Sequence, residues 1–242
     1  MITNLPSITI VTPSLNQGGF IEEAIQSVLS QDYPHLEYII ADGGSTDHTI
    51  HLLEKYSKRI IWFSEKDKGQ TNAINRALQM ATGEVVGYLN ADDLLLPGSL
   101  LLVGKSFARY PVVQWLTGQC KIVDETGKDI RSIISFYKNL LLYSHSYHML
   151  FVTNYISQPT TFWRRGLLDR CGLLDESLHY VMDYEYWLRL WKTTPPLILH
   201  KSLAAFRIQR NSKTTSSGHL DRYIEEERRI ISQHTQSRLW RS

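Results

Sequence analysis

From Ser7 to Leu89, short apolar runs alternate with segments whose apolar residues recur at helical spacing. Ser7 to Thr12, Leu36 to Ala41, Ile60 to Phe63 and Val85 to Leu89 are short and rich in apolar or β-branched residues, as buried strands are. Between them lie three helical patterns. Ile21, Ala24, Ile25, Val28 and Leu29 share one face; Ile50, Leu53 and Tyr56 follow a capping Asp47; Ala73, Ile74, Ala77, Leu78 and Ala81 form the third. Strands separated by single helices must be joined by crossovers, which gives βαβ units and a parallel sheet.

After Pro97 the rhythm breaks. A helix is expected over Leu100 to Tyr110, strands over Val112 to Leu116 and Cys120 to Val123, and a turn over Glu125 to Lys128. Extended stretches over Gln158 to Trp163 and Leu197 to Ile208 flank a helix from about Tyr184 to Lys192. The expected fold is α/β: a Rossmann-like, mostly parallel central sheet flanked by helices, with a mixed or antiparallel second half. No repeat or low-complexity linker interrupts the chain, so one domain over residues 1–242 is expected.

Composition narrows the partners. Lys and Arg number 26 against 24 Asp and Glu, which leaves no global basic footprint for nucleic acid. Cys120 and Cys171 lie too far apart for a metal knuckle or redox pair and read as buried structural thiols of a reducing compartment. The first residues lack the cationic start and apolar core of a signal peptide. The stretch from Ile133 to Val152 carries Lys138, Asn139, His145 and His148, too many polar groups for a spanning helix. A cytoplasmic protein is expected.

Polar chemistry gathers behind the strands of the first half. Thr12-Pro13-Ser14-Leu15-Asn16 follows the first, Asp42-Gly43-Gly44-Ser45-Thr46-Asp47 the second and Glu65-Lys66-Asp67-Lys68-Gly69-Gln70 the third. Asn90-Ala91-Asp92-Asp93 follows the fourth. Open α/β sheets bind ligands outside these carboxyl ends, and paired carboxylates there suit Mg²⁺ or Mn²⁺. An acidic turn that caps the next helix would explain Asp92 and Asp93 equally well.

The ordered segments TPSLNQGGFIEEAIQSVLSQDYP, ADGGSTDHT, SEKDKGQTNAIN, ATGEVVGYLNADD and MDYEYWLRL together resemble the family 2 glycosyltransferases of GT-A fold, over roughly residues 7–210. The resemblance implies a metal-dependent, inverting transfer of sugar from a nucleoside-diphosphate sugar, a UDP-sugar first, to a carbohydrate or lipid-linked acceptor. It divides the chain into a nucleotide-sugar half (about 7–110), an acceptor half (about 111–215) and a helical tail (219–242). It implies that Thr12, Pro13 and Ser14 frame the base and ribose, with Asn16 beside them, and that Asp42 accepts from the base. Lys68, Gln70 and Asn72 would line the ribose and diphosphate. Asp92 would bind Mn²⁺ or Mg²⁺, Asp93 the metal shell or sugar, and Asn90 and Ala91 complete the motif.

The chain departs from the family pattern at Asn90, where Asp is usual, at Met182, where Glu is usual, and at Gln209, where many members carry His. Arg210 and Lys213 beyond it could meet phosphate or form a solvated loop. The resemblance makes Asp183 the catalytic base with Glu185 as fallback, although an Asp just ahead of a helix is often only its N-cap. His145 and His148 belong to an aromatic stretch that forms either an acceptor lid or a packed amphipathic helix. The tail has Leu220, Tyr223, Ile224, Ile230 and Ile231 near one stripe, suited to packing on the domain or a second copy of the chain. Its end, with Arg238, Trp240 and Arg241, suits peripheral membrane contact. Two other functions compete. A sugar-phosphate nucleotidyltransferase would need cations after the first strand, and Thr12 to Gly19 has none. A non-catalytic nucleotide-sugar binder would have no need of both Asp92 and Asp183.

Overall fold

The computed structural model describes residues 4–130, 132–209 and 219–239. The first half runs β1 (Ile8–Ser14), α1 (Ile21–Leu29), β2 (Leu36–Asp42), α2 (Thr49–Tyr56), β3 (Ile61–Ser64), α3 (Gln70–Met80) and β4 (Val85–Tyr88). There follow β5 (Leu94–Leu95), α4 (Ser99–Arg109), β6 (Trp115–Val123), α5 (Ser132–Ser144), α6 (Tyr147–Leu150), β7 (Thr161–Arg164) and α7 (Gly166–Cys171). The chain closes with α8 (Met182–Thr193), β8 (Leu197–Arg207) and α9 (His219–Leu239).

All strands belong to one 8-stranded sheet of order β3-β2-β1-β4-β7-β6-β8-β5. β3, β2, β1 and β4 are parallel. β7 enters antiparallel between β4 and β6, and β5 closes the far edge antiparallel to β8. The expected parallel half and mixed half therefore share one sheet. Strand order reverses at β1, whose two neighbours are β2 and β4, and that reversal opens the crevice at the strand ends where α/β proteins bind ligands.

Alternation along each strand sends side chains to two cores. Ile8 and Ile10 pack with α1, α2 and α4 on one face, and Val11 packs with α3, α8 and a tryptophan-rich cluster on the other. Trp115 stacks on Trp187 with ring centroids 6.1 Å apart, and its indole N–H donates to the Thr194 carbonyl at 2.7 Å. Gly87 lets β7 approach, because a Cβ there would stand 2.7 Å from Phe162.

Four expectations change in detail. The two strands foreseen between Val112 and Val123 are one strand, β6, with register irregularities around Gly118 to Cys120. The helix foreseen from Tyr184 begins at Met182, so Asp183 lies within its first turn rather than ahead of it. Cys171 is only half-buried and lies 3.3 Å from the Thr193 hydroxyl. Leu220 is 70% exposed, and α9 docks instead through buried Ile230, with Tyr223 and Ile231 beside it. Among the described residues no helix is long and apolar enough to cross a membrane. Arg210, Lys213, Trp240 and Arg241, and the side chain of Arg238, lie outside what is described.

Candidate active site

The carboxyl ends of β1 to β4 form one rim, because Ser14 is in register with Asp42, and Asp42 with Ser64. Asp42 organises it. Its carboxylate accepts from Gly44 N at 3.0 Å, Ser45 N at 2.8 Å, Ser45 Oγ at 2.5 Å and Ser64 Oγ at 2.6 Å. A buried carboxylate is tolerated when donors surround it, and here they wrap the glycine-rich turn around the strand end. Asn16, at φ 53°, joins the loops: its N–H donates to Ser45 Oγ at 2.7 Å and its Oδ1 accepts from Thr46 N at 2.9 Å. Gly43 N donates to the Ser14 carbonyl at 2.8 Å, and the Ser14 hydroxyl is buried with no partner among the described residues.

Two rim residues point elsewhere than foreseen. Thr12 is fully buried in β1 and its hydroxyl meets Tyr38 Oη at 3.1 Å, so only its backbone can face a ligand. Asn72 turns its amide to Glu176 at 3.0 Å and thereby holds the loop before α8. Lys68 is exposed beside Gly69, the start of α3. Pro13 is buried at the end of β1.

The turn after β4 is a connected polar network. Gln70 Nε2 donates to Asn90 Oδ1 at 2.8 Å, and Asn90 Nδ2 donates to Asp93 Oδ2 at 3.1 Å and Gln158 Oε1 at 3.2 Å. Asp93 is 0% exposed and accepts from Arg207 N at 2.9 Å, so its carboxylate faces the interior instead of a sugar or metal shell. Burial pushes its pKa well above the usual carboxylate range, and the neighbouring Asp92 charge adds to that. Asp92 is half-buried and turned toward the end of β8, where Gln209 Nε2 donates to its Oδ2 at 2.7 Å. Burial raises its pKa too, against the Gln209 hydrogen bond. Ala91, buried just before Asp92, contributes backbone.

Metal fit follows from this donor set. Among the described residues no three His, Cys, Asp or Glu side chains converge. Asp92 offers one carboxylate, and Gln209 a neutral amide beside it. Mg²⁺ and Mn²⁺ sites that also bind diphosphate commonly use one or two carboxylates and take the remaining oxygens from phosphate and water, which this arrangement suits.

Asp183 lies in the first turn of α8, and its Oδ1 accepts from Tyr184 N at 2.7 Å. Burial raises its pKa, while the Tyr184 amide and Lys138 oppose the rise. Tyr88 connects the two regions: both Asp183 and Asp93 act on its buried hydroxyl. Glu185, the fallback base, is committed elsewhere. It takes Arg189 Nε at 2.8 Å and stands 3.4 Å from His234 Nε2, and these partners hold its pKa below the usual range despite burial.

Sequence reading missed Gln158 and Lys138. Gln158 opens a single 3-10 turn before β7 and locks Asn90. Lys138 lies on α5, which crosses β6 and is held there by Tyr143: its hydroxyl accepts from Gln119 at 3.4 Å and its ring stacks on His200 at 4.3 Å. Burial pushes the Lys138 ammonium down, while the charges of Asp183 and Cys120 push it up. A lysine in an aromatic run carries no sequence signal for such a role. On α5, Ile133, Phe136 and Leu140 are exposed.

The sequence profile of Glycosyl transferase family 2 matches residues 9–172. A relative from Campylobacter jejuni, GalNAc(5)-diNAcBac-PP-undecaprenol beta-1,3-glucosyltransferase, is 27% identical over 224 residues, covering 87% of this chain and 68% of its own. TarS of S. aureus in complex with UDP-GlcNAc superposes with TM-score 0.71 at 21% identity, over 94% of this chain and 66% of that one. The mannosyltransferase PcManGT from Pyrobaculum calidifontis, in complex with GDP-Man and Mn²⁺, superposes with TM-score 0.67 at 19% identity, over 94% and 66%. The chain spans about two thirds of the length of each, and the shared architecture is the GT-A fold.

Proposed function

The chain belongs to glycosyl transferase family 2, and from that premise we propose that it moves a sugar from a nucleoside-diphosphate sugar, a UDP-sugar first, to an acceptor hydroxyl with inversion. The observation that carries the reading is the rim itself, where the Asp42 turn and the Asp92 turn, the latter held by Gln209, follow the two parallel strands that flank β1. Asp183, in the first turn of α8 with the Tyr184 amide donating to it, is the carboxylate offered to the acceptor. The nucleoside lies along the ends of β1 and β2, where the Asn16–Ser45 junction and the turn around Asp42 supply backbone donors. Lys68 and Gln70, at the amino end of α3, face the diphosphate, which favours the positive end of a helix.

Asp92, with Gln209 beside it, would hold Mn²⁺ or Mg²⁺, which would supply a positive charge to stabilise a departing diphosphate. Asp93 stays out of direct contact and orients Asn90. Asp183 takes the acceptor proton as the hydroxyl attacks the anomeric carbon; its raised pKa makes it a better base than an ordinary aspartate. One base and one departing diphosphate give inversion without a covalent intermediate. The acceptor enters between α8 and α5, with Lys138 steadying the Asp183 carboxylate. A lipid-linked acceptor in polysaccharide or glycolipid synthesis is favoured by the Campylobacter jejuni relative, whose name includes undecaprenol. Exposed Ile133, Phe136 and Leu140 on α5 favour peripheral membrane contact from the cytoplasmic side.

The test is a panel of UDP- and GDP-sugars, read as release of nucleoside diphosphate with Mn²⁺, with Mg²⁺ and with chelator. Metal-stimulated release from a UDP-sugar supports the reading. Equal rates in chelator would remove the metal, and release only from GDP-sugars would replace the base.

A further inference from the structure

The first turn of α8, which carries Asp183, has no cap of its own. Its N-cap position is Val181, whose side chain has no acceptor, and no side-chain capping bond is formed there from within the segment. The first N–H groups of a helix need partners from outside it. The residues that lead into those groups find one on α9. The Glu226 carboxylate accepts from His179 N at 3.0 and 3.2 Å, Tyr180 N at 2.9 Å and Val181 N at 3.3 Å. Three successive backbone amides thus converge on one side chain from a helix more than 40 residues away, ending at the residue two before Asp183.

The surrounding contacts tighten the same segment from both sides. Before it, Arg229 Nη2 donates to Ser177 Oγ at 3.0 Å; after it, His234 stands 3.4 Å from Glu185. Ile230 is buried between those two polar contacts, and the Tyr223 hydroxyl is near enough to Asp183 to feel its charge. α9 therefore grips residues 177–185 at three successive points, with Asp183 inside the grip. It lies wholly beyond the family profile, which ends at residue 172.

We propose that Glu226 is a positioning residue for Asp183: a carboxylate supplied by α9 ties down the three residues that lead into α8 and so fixes the turn from which the base works. The proposal rests on Asp183 being that base. An ionised carboxylate suits the role twice over, because charged acceptors make stronger hydrogen bonds and a negative charge complements the helix amino end. Among the described residues the Asp183 carboxylate is held by backbone amides of its own turn, Tyr184 N among them, which leaves its direction to the backbone of that turn.

The experiment compares Glu226→Ala and Glu226→Gln in the full chain. Amide hydrogen exchange over residues 179–186 is measured beside UDP affinity by calorimetry, and kcat beside donor KM with the sugar nucleotide that the wild type turns over. Glu226→Ala should speed exchange of those amides about tenfold and lower kcat roughly ten- to hundredfold, with UDP affinity and donor KM unchanged. Glu226→Gln keeps one carbonyl acceptor and should recover part of both. In an Asp183→Asn background, Glu226→Ala should lower kcat no further, since a missing base has no position to lose. Unchanged exchange overturns the anchor. Faster exchange with wild-type kcat, or equal losses of kcat and UDP affinity, overturns the positioning role and leaves α9 a general brace. If Asp183→Asn alone keeps full activity, the base assignment fails instead, and the exchange result still decides whether Glu226 anchors the entry to α8.

Discussion

Gln209, two residues past the end of β8, donates its side-chain amide to Asp92 at 2.7 Å, so the last strand of the sheet closes on the turn that follows its fourth. Those residues are 117 apart in sequence. Their meeting decides which carboxylate of the Asp92–Asp93 pair is available to a ligand. Asp92 is drawn to the rim, while Asp93 is spent on Arg207 N and Asn90.

Asp92 should accordingly carry the metal effect on nucleotide binding. UDP titrated by calorimetry is expected to bind about tenfold more tightly with Mn²⁺ than with chelator, the size of one well-made charged contact. Asp92→Ala should abolish the difference and leave metal-free affinity near wild type. A variant that keeps the full Mn²⁺ enhancement would show that another residue holds the cation.

Asn90 invites the opposite expectation from its position in the motif. Restoring the family's usual Asp there looks like a gain of metal ligand. In this structure Asn90 Nδ2 supplies Asp93 and Gln158 with a donor, and an Asp would bring a third acceptor against two others. An unpaired buried acceptor costs roughly 1–3 kcal/mol. Asn90→Asp should therefore lower Tm by several degrees without strengthening Mn²⁺-dependent UDP binding, and thermal unfolding beside calorimetry checks both parts.

Lys138 sets the acid side of the pH profile. Asp183 must be deprotonated to accept a proton, its pKa is raised by burial, and Lys138 pulls it back down. Tyr88 and Tyr223 are the other titrating groups that feel its charge, and both have pKa values raised far above the working range, so they stay neutral. Lys138→Met removes the cation and should lift the Asp183 pKa further. The acid limb of kcat should then move to higher pH, with activity lost earlier as pH falls. An unmoved limb would mean that Lys138 does not reach the base in solution.

The parallel half was legible because periods of two and of three to four residues are local properties, and β1 to β4 with their helices fall close to the expected bounds. The rim followed, since strand ends and ligand crevice are coupled by topology. Side-chain direction was not legible. Thr12 and Ser14 look alike in sequence, yet Thr12 meets Tyr38 inside the sheet while Ser14 ends the strand. Asp92 and Asp93 are adjacent, and their different fates depend on Arg207 and Gln209 from β8. Glu226 is one of three consecutive glutamates in α9, and only the docking of that helix singles it out. Partners distant in sequence leave no local periodicity to read.

Asp183 separates an enzyme from a binder, and the structure sharpens the comparison. Asp183 lies in the first turn of α8 and accepts from the next residue's amide, so it contributes little as an N-cap. Asp183→Asn keeps the side chain's size and can still accept from Tyr184 N through its amide oxygen. Fold and UDP affinity should therefore stay near wild type, and replacing a buried carboxyl whose pKa burial raises should even be mildly stabilising near neutral pH. There the ionised form is the costly one: the raised folded-state pKa means stability is greatest below the ordinary Asp pKa and falls as pH rises through the raised value. Transfer is another matter, because an amide cannot take the acceptor proton. Loss of a positioned base costs ~10²- to 10⁴-fold in rate. Transfer kinetics, thermal unfolding and UDP calorimetry on the one variant test all three parts. Activity near wild type would move the base elsewhere. Glu185, held by Arg189 and beside His234, would be a poor replacement unless Arg189→Ala released it.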